Sequence, residues 1–370
     1  MAELFKNIYN PVFFTTFTSA VKEIVTDFNT EAFLQTIYDD DWELKEYKQR
    51  MRHVAVSLKQ HLPGNFNQHV THILEIIQLL NSKGIREKSI EYMFFPDFIE
   101  LYGLDNFTVS VNAFETITQF TSCEFAVRPF IIQYEKEMIK QLHSWSAHKH
   151  VSVRRLASEG CRPRLPWAMA LPSFKTDPSS IIPILTTLKN DSSEYVRRSV
   201  ANNLNDISKD HPEMVIQLAQ QWLGQSKETD WVVKHACRTL LKQGNKEVMK
   251  LFGYSNIQSI QIASFKVHTP TVTIGDFLEF SFILQNQGKT PAKIRLEYGL
   301  YYLKANGNLA RKVFKISEKM YPENSDSFIV RRQSFKLITT RKFYPGLHQV
   351  AIIINGHEFE ALDFELGIRN

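Results

Sequence analysis

The chain has 370 residues, of which 43% are hydrophobic and 22% charged, a composition typical of soluble globular proteins that excludes a disordered or collagen-like chain. Its length exceeds that of one ordinary hydrophobic core, so we expect two domains. The formal net charge of +5 permits a polyanionic partner without requiring one.

The cysteines and the apolar segments bear on where the protein works. The three cysteines lie far apart and form no CxxC pair, so the sequence supports neither a disulfide framework nor a zinc finger, and a reducing cytoplasm fits best. No segment reaches the roughly 20 apolar residues that a membrane-spanning helix needs. We therefore expect a cytoplasmic protein that is neither exported nor inserted into a membrane.

Residues 1–255 show helical periodicity almost throughout. In VFFTTFTSAVKEIV, which follows Pro11, apolar residues recur at intervals of three and four. Asn29 and Thr30 are suited to cap the next helix, EAFLQTIY. The later segments WELKEYKQRMRHVAVSLKQHL and NQHVTHILEIIQLLNSKG are also amphipathic. We therefore predict an all-helical first domain.

The first domain is organised around residues 151–174, which read VSVRRLASEGCRPRLPWAMALPSF. The first half is predicted to be a helix with one apolar face. That face carries Val153, Leu156, Ala157 and Gly160. The rest of the helix surface is predicted to carry Arg154, Arg155, Ser158 and Glu159.

This helix is predicted to end at Gly160, because glycine can adopt the left-handed conformation that terminates helices. Two prolines, at positions 163 and 166, then constrain a loop from which Arg162, Arg164 and Trp167 would project. Cations, a carboxylate and a large aromatic ring would lie side by side. This combination suits an anionic polymer carrying an electron-poor ring better than it suits a hydrophobic core.

The helix is the first of three similar segments. VRRLASE at residues 153–159 recurs as VRRSVAN at 196–202 and more faintly as VKHACR at 233–238, with offsets of 43 and 37 residues. Periods near forty are typical of HEAT-like repeats, whose helix pairs bury their apolar faces by stacking on their neighbours. We therefore predict a HEAT-like α-solenoid over residues 1–255.

Each repeat begins with basic residues, which could line a concave surface with positive charge. They are Arg154, Arg155, Arg197, Arg198, Lys234, His235 and Arg238. For one repeat alone, a solvated helix face would be the simpler explanation. The recurrence in one register favours a surface that binds a polyanion.

From residue 256 the pattern changes to an alternation of apolar and polar residues. One face of the run FLEFSFIL carries Leu278, Phe280, Phe282 and Leu284. Turn signals such as NQG and NGN separate the runs. About seven short strands result, which is the number in an immunoglobulin-like fold. We therefore predict a small immunoglobulin-like β-sandwich over residues 256–370.

Five cations surround one loop of this second domain. They are Arg331, Arg332, Lys336, Arg341 and Lys342. The sequence is equally consistent with a clamp on a polyanion and with an ordinary soluble surface.

Three carboxylates are candidates for chemistry: Glu124, Glu159 and Asp206. When the repeats are superposed with the offset of 43, Glu159 matches Asn202, and Asp206 lies one helical turn further along the same face. Two acids from adjacent repeats can then converge. The simpler interpretations are an i, i+4 ion pair of Glu159 with Arg155 and a solvated helix end for Asp206.

Other familiar sites are missing from the sequence. There is no GxGxxG, Walker loop, GxSxG or HExxH. His143, His148 and His150 lie near one another, but the chain has no second cluster at ligand spacing. We therefore expect no metal site and no cofactor.

The segment RRLASEGCRPRLPWA, at residues 154–168, resembles a known family, the AlkC-type DNA alkylation-repair glycosylases. With the AlkD proteins they form the HEAT-like-repeat glycosylase superfamily. The repeats and the predicted immunoglobulin-like domain, which AlkC proteins carry and AlkD proteins lack, extend the resemblance over essentially the whole chain. It implies that Glu159 and Trp167 of the motif, with Asp206 and Glu124 outside it, form the active-site set.

The resemblance implies a monofunctional enzyme that hydrolyses the N-glycosidic bond of cationic alkylated bases in duplex DNA without flipping the base. The expected bases are chiefly 3-methyladenine and 3-methylcytosine. Such a base leaves as a neutral molecule, so the carboxylates need only stabilise positive charge on the sugar and orient or deprotonate the attacking water.

The expected partner is alkylated double-stranded DNA, bound by a monomer. The arginines expected to bind it are Arg154, Arg155, Arg162, Arg164, Arg197 and Arg198. The alternative is a HEAT-repeat scaffold that binds DNA or protein and has no catalytic activity.

Overall fold

The computed structural model describes residues 4–85, 89–337 and 341–368, in which sixteen α-helices precede eight β-strands. The helices are α1 (Pro11–Ile24), α2 (Thr30–Ile37), α3 (Tyr47–His61), α4 (Phe66–Ser82), α5 (Phe94–Tyr102), α6 (Phe107–Ile117), α7 (Val127–Gln133), α8 (Glu135–Ser146), α9 (Val151–Glu159), α10 (Pro172–Thr176), α11 (Ile182–Leu188), α12 (Glu194–Ile207), α13 (Pro212–Trp222), α14 (Lys227–Ala236), α15 (Arg238–Lys242) and α16 (Lys246–Leu251). Short 3-10 helices cover Phe5–Ile8, Trp42–Leu44, Ile90–Tyr92 and Ser179–Ile181. The predicted order of helices and then strands is confirmed.

Asparagine caps begin several helices, as the sequence indicated for α2. Asn29 Oδ1 accepts a hydrogen bond from the backbone N–H of Ala32 at 3.0 Å. Asn10 Oδ1 does the same for Phe13 at 3.0 Å, with Pro11 as the first residue of α1. Each cap satisfies a backbone donor that has no partner within the helix. Among the described helices, none is long and apolar enough to cross a membrane.

The chain forms two units. The first consists of the described residues of Met1–Val215 and Gln221–Ala236, and the second of Ile216–Gln220 and the described residues of Cys237–Asn370. The second unit therefore begins before the boundary predicted at residue 255, and it includes α15 and α16 as well as the strands.

The three repeated segments lie on α9, α12 and α14, and α12 packs against both of the others. The hydroxyl of Ser158 on α9 donates to Ser199 Oγ on α12 at 2.7 Å, and Asn203 Nδ2 donates to the Ser158 carbonyl at 2.9 Å. The repeats are therefore stacked side by side. The expectation that Ser158 and Glu159 share an outer helix surface is wrong, because both are buried.

Gly160 follows α9 at the predicted position, but the predicted left-handed conformation is wrong. Its φ is −61°, within the right-handed region. A Cβ atom added there would lie 2.7 Å from Val127 Cγ2 and 2.9 Å from the Leu156 carbonyl oxygen. The position therefore requires glycine for close packing and not for chain reversal.

The second unit contains two antiparallel-rich sheets. The strands are β1 (Ile260–Val267), β2 (Thr271–Thr273), β3 (Phe277–Asn286), β4 (Ala292–Leu303), β5 (Leu309–Tyr321), β6 (Ser325–Ser334), β7 (Gly346–Ile354) and β8 (His357–Gly367). One sheet has the order β1-β3-β6 and the other β2-β8-β7-β4-β5. Residues of both sheets form one hydrophobic core, to which β3 contributes the four alternating residues predicted from FLEFSFIL. The strands number eight instead of about seven.

The predicted basic loop of this unit includes residues 338–340, which lie outside the described residues. Beside it, the Arg341 guanidinium lies 4.6 Å from the centre of the Tyr302 ring. Arg332 Nε lies 3.2 Å from Glu279 Oε2 on the neighbouring strand. Arg331, Lys336 and Lys342 also have intramolecular contacts, so all five cations do.

Candidate active site

Glu159 lies in the last turn of α9 and is only 5% exposed. Its Oε1 accepts a hydrogen bond from Arg162 Nη1 at 2.7 Å and lies 3.6 Å from Arg155 Nη2. Burial of a carboxylate costs free energy unless the carboxylate is paired with a cation, and these two arginines provide that pairing. The i, i+4 pair with Arg155 exists, but it is the longer of the two contacts.

Arg162 joins two carboxylates of neighbouring repeats. While Nη1 donates to Glu159, its Nε donates to Asp206 Oδ2 at 2.9 Å. Asp206 lies in the last turn of α12, is 3% exposed, and also accepts from Lys209 Nζ at 3.1 Å. The two acids therefore converge on one guanidinium. The prediction that Arg162 projects from a loop is wrong, and the simpler interpretation of Asp206 as a solvated helix end is excluded, since both side chains are buried.

Glu124 joins this group through Arg155. Arg155 Nη1 donates to Glu124 Oε2 at 2.5 Å, and the Ser122 hydroxyl donates to the same oxygen at 2.9 Å. The guanidinium also lies 4.6 Å from the centre of the Tyr195 ring. Glu124, Arg155, Glu159, Arg162 and Asp206 form one connected group, which we call the acid cluster.

The two arginines of the acid cluster are held in their charged form. Burial lowers the pKa of Arg155, but Glu124 and Glu159 beside it raise the pKa above its usual value. Burial likewise lowers the pKa of Arg162, and Glu159 and Asp206 outweigh that effect. Lys209 Nζ, 3.1 Å from Asp206 Oδ1, adds a third cation, so the three carboxylates of the cluster face three positive groups. Of these three, only Lys209 is exposed.

The loop after α9 presents Trp167 to solvent. The side chain is 67% exposed, and φ is 63°, a left-handed conformation that is unusual for a bulky residue. Lys48 Nζ donates to the Trp167 carbonyl oxygen at 2.6 Å. Such strain costs on the order of 1–3 kcal/mol and persists only where neighbouring structure fixes it. The backbone conformation thus fixes the position of the indole ring, and the ring stays exposed to a ligand.

Arg128, which no sequence pattern predicted, hydrogen-bonds to both ends of this loop. It is fully buried, and it donates through Nη1 to the Gly160 carbonyl at 2.9 Å and through Nε to the Met169 carbonyl at 2.6 Å. Burial lowers its pKa to about 10, which still leaves it charged at neutral pH. Lys48, from α3, was equally unpredicted. Both residues are remote in sequence from the loop that they hold.

Two of the six arginines predicted to bind DNA brace the repeat itself. Arg154 Nη1 donates to the carbonyls of the residues five and six positions before it, at 2.9 and 3.0 Å. Arg197 Nη1 makes the same pair of contacts one repeat later, at 3.0 and 2.6 Å. Arg154 Nε also lies 2.6 Å from Asp191 Oδ2. The structure thus gives both a structural role, and a contact with DNA stays a prediction.

Arg164 and Arg198 extend further toward solvent. Arg164 pairs with Asp210 and is partly exposed, and Arg198 pairs with Glu194 and is exposed. Arg198 also lies 5.6 Å from the centre of the Trp231 ring. Exposed ion pairs of this kind are weak, so either arginine can exchange its acid for a phosphate at little cost.

The part of the chain that the structure describes contains no group of three His, Cys, Asp or Glu residues arranged to hold a metal ion. Two of the three histidines that lie close together in the sequence hydrogen-bond with the backbone of the turn before α9. His148 Nδ1 accepts from the backbone N–H of His150 at 3.0 Å, and His150 Nδ1 accepts from that of Ser152 at 3.3 Å. These two rings shape the turn before α9.

Comparison with known proteins adds four findings. The model of a family described as DNA alkylation repair enzyme matches residues 104–240, and that of the YhaZ C-terminal Ig-like domain matches residues 261–368. A Bacillus subtilis (strain 168) protein named "Uncharacterized protein YhaZ" is 44% identical over 366 residues, which is 99% of this chain and 100% of that protein. The structure of Pseudomonas fluorescens alkylpurine DNA glycosylase AlkC, bound to DNA containing an abasic site analog, has a TM-score of 0.92 at 34% identity, covering 98% of this chain and 99% of that one.

Proposed function

Because this chain belongs to the AlkC-type DNA alkylation-repair glycosylases, we propose that it hydrolyses the N-glycosidic bond of cationic alkylated bases, chiefly 3-methyladenine and 3-methylcytosine, in duplex DNA. The glycosylase class follows from the family, and the immunoglobulin-like domain matches it. The choice of lesion, the catalytic residues and the route to the base are our proposal.

One observation carries the proposal: Arg162 holds the carboxylates of Glu159 and Asp206 on a single guanidinium, across the junction of two repeats. An alkylated base that is cationic departs as a neutral molecule and needs no acid to protonate it. The difficult step is the growth of positive charge on the deoxyribose, which nearby carboxylates stabilise. Three carboxylates gathered at one place suit that charge.

We assign separate roles within the cluster. Glu159 and Asp206 stabilise the oxocarbenium-like sugar, and Glu124, which has an oxygen without a hydrogen-bond partner among the described residues, orients or deprotonates the attacking water. Trp167 packs on the sugar or beside the lesion, with a cation–π attraction of about 1 kcal/mol or more when water is excluded. Lys209, which lies beside the cluster, is ion-paired with Asp206 and is given no role as a nucleophile, so we expect no covalent enzyme–DNA link and no cut strand.

The exposure of Trp167 supports a reaction on a base that stays in the stack. Its indole stands at the surface of the loop, where it can contact the edge of an intact duplex. Arg164 and Arg198 are the arginines best placed to take phosphates, and Arg155 and Arg162 can do so only by leaving the carboxylates that they now neutralise. In this proposal the second unit clamps the DNA, and one copy of the chain suffices.

The test is release of free methylated base from alkylated duplex DNA. The intact protein is compared with Glu159→Gln and with Glu137→Gln, an exposed acid on α8 that serves as the matched control. We expect base release to fall by about 100-fold or more in Glu159→Gln, as for removal of one group that stabilises transition-state charge. The control is expected to keep full activity, and both variants to keep their affinity for DNA.

Three results would contradict the proposal. If the intact protein binds DNA tightly and releases no methylated base, the scaffold interpretation is correct. If an uncharged lesion such as deoxyinosine is excised as fast as 3-methyladenine, the positive charge of the base is not what drives the reaction. Detection of cut DNA strands in samples that were not treated with alkali would argue against hydrolysis by water alone.

A further inference from the structure

A cleft opens beside the acid cluster, and the proposed reaction gives a role to Glu124 in its lining but none to the cleft itself. Its volume is about 250 Å³, and its lining includes the charged Glu124 and Arg155 and the apolar Met93 and Phe120. The volume lies below the roughly 300–1,000 Å³ of sites for drug-sized ligands, so it suits a free base better than a whole nucleotide. The apolar wall suits the face of a planar ring.

The polar side of the cleft retains hydrogen-bonding capacity. Both hydrogen bonds that Glu124 accepts go to Oε2, and Oε1 accepts none from the described residues. Arg155 uses Nη1 and Nη2 in its ion pairs, and its Nε donates to no described residue. Thr121 also lines the cleft, and its buried hydroxyl has no partner within the described residues. Acceptors and donors are thus present next to one another.

We propose that this cleft binds a free 6-aminopurine, and in particular retains the 3-methyladenine released by the enzyme. In adenine an amine donor stands beside a ring-nitrogen acceptor, and this edge is complementary to a carboxylate acceptor beside a guanidinium donor. Hypoxanthine has the same size and shape with the two functions reversed. A methyl group at N3 of a purine leaves the amine edge intact, whereas in 3-methylcytosine it blocks the ring nitrogen beside the amine.

This inference deepens the proposed function by naming a site for its product. Retained 3-methyladenine would lie against Glu124 and so slow the next turnover. We therefore expect added 3-methyladenine to inhibit base release, and added hypoxanthine or 3-methylcytosine to inhibit it much less.

The experiment measures binding of the free bases to the full-length protein by calorimetry, without DNA. We expect saturable 1:1 binding of adenine and 3-methyladenine, and binding of hypoxanthine that is about tenfold weaker or more, because its reversed edge leaves a buried donor and acceptor unpaired. Ser152→Tyr, which fills the cleft from its lining, should abolish adenine binding. Ser144→Tyr, at an exposed position on α8 outside the lining, should not.

Equal binding of adenine and hypoxanthine, no saturable binding, or adenine binding that survives in Ser152→Tyr would each overturn the proposal. Thr121→Val, which removes the unpartnered hydroxyl with little change of shape, provides a second variant should Ser152→Tyr unfold at a lower temperature than the control. Weaker adenine binding in Thr121→Val supports the site, and unchanged binding argues against it. The binding assay contains no DNA, so the two proposals can fail separately. A protein that releases methylated base but binds no adenine would refute the proposed role of the cleft alone. A protein that binds adenine but releases no methylated base would refute the proposed function alone.

Discussion

Removal of the guanidinium that joins two acids is the most direct test of the acid cluster. Arg162→Met keeps an unbranched side chain but leaves Glu159 and Asp206, which are 5% and 3% exposed, without their shared cation. Breaking a buried ion pair by removing one partner costs about 3–5 kcal/mol. At about 2–4 °C per kcal/mol for a unit of this size, the midpoint of thermal unfolding should fall by roughly 6–20 °C.

The same reasoning predicts a rescue. The triple variant Glu159→Gln/Arg162→Met/Asp206→Asn has no unpaired charge at this place, so it should recover most of the stability lost in Arg162→Met, because uncharged groups often replace a buried ion pair at little cost. Arg198→Met is the matched control. It removes an arginine from an exposed pair, so we expect a change within about 0.5 kcal/mol.

The assay is thermal and urea unfolding followed by circular dichroism in the helical region of the spectrum. Arg162→Met within about 1 kcal/mol of the wild type would refute the interpretation of the cluster as buried and mutually dependent. A triple variant no more stable than Arg162→Met would show that the loss comes from packing of the arginine stem and not from the uncompensated acids.

Three further predictions concern other parts of the first unit. Burial raises the pKa of Asp97 to about 6, above its value of about 3.9 in the unfolded chain, so the wild type should lose up to ~3 kcal/mol of stability as pH rises from 4 to 7, and urea unfolding of Asp97→Asn should lack that slope. An equal slope in the variant would contradict this. Lys48→Met should lower kcat about tenfold with little change in KM, since the Trp167 carbonyl loses its donor, and Lys48→Arg should restore activity; an unchanged kcat would exclude a positioning role. Arg154→Met should cost about 3 kcal/mol in urea unfolding, because it removes the partner of the buried Asp191 side chain, whereas Arg198→Met should leave stability unchanged while it weakens DNA binding and reduces its salt dependence by about one ion; the reverse pattern would reassign both arginines.

Periodicity was sufficient to predict the classes of element and their order. The helical periodicity of α9 and the alternation in β3 depend on the sequence within one element, and the apolar residues predicted for these two elements are buried. The asparagine cap of α2 likewise depends on local hydrogen bonding. The left-handed conformation predicted for Gly160 was wrong, and the reason for a glycine there is the close approach of Val127, which is far away in sequence and leaves no room for a Cβ atom.

The acid cluster could be predicted only in part. The offset between repeats brings Glu159 and Asp206 near one another, since that offset reports how α9 and α12 stack. Sequence spacing does not report burial, and the arginine that joins the two acids is separated from Asp206 by 44 positions. The cations were therefore expected at the surface, where charged residues usually lie, although buried acids require them inside. Arg128 was not predicted for the same reason. Lys48 is exposed, and its contact with Trp167 was not predicted because the two residues are 119 positions apart in the sequence.

The arginines show why positive charge in a sequence is a poor guide to where a polyanion binds. Arg154 and Arg197 occupy one register and brace the loop before their own helices, so this recurrence arises from the repeat and would exist in a solenoid that never meets DNA. Arg155 and Arg162 neutralise carboxylates. What distinguishes this chain is that three acids share two such arginines at the junction of α9 and α12. Lys209, which completes the charge balance through Asp206, is exposed and so weakly held, and a cationic sugar or base beside the cluster can take its place.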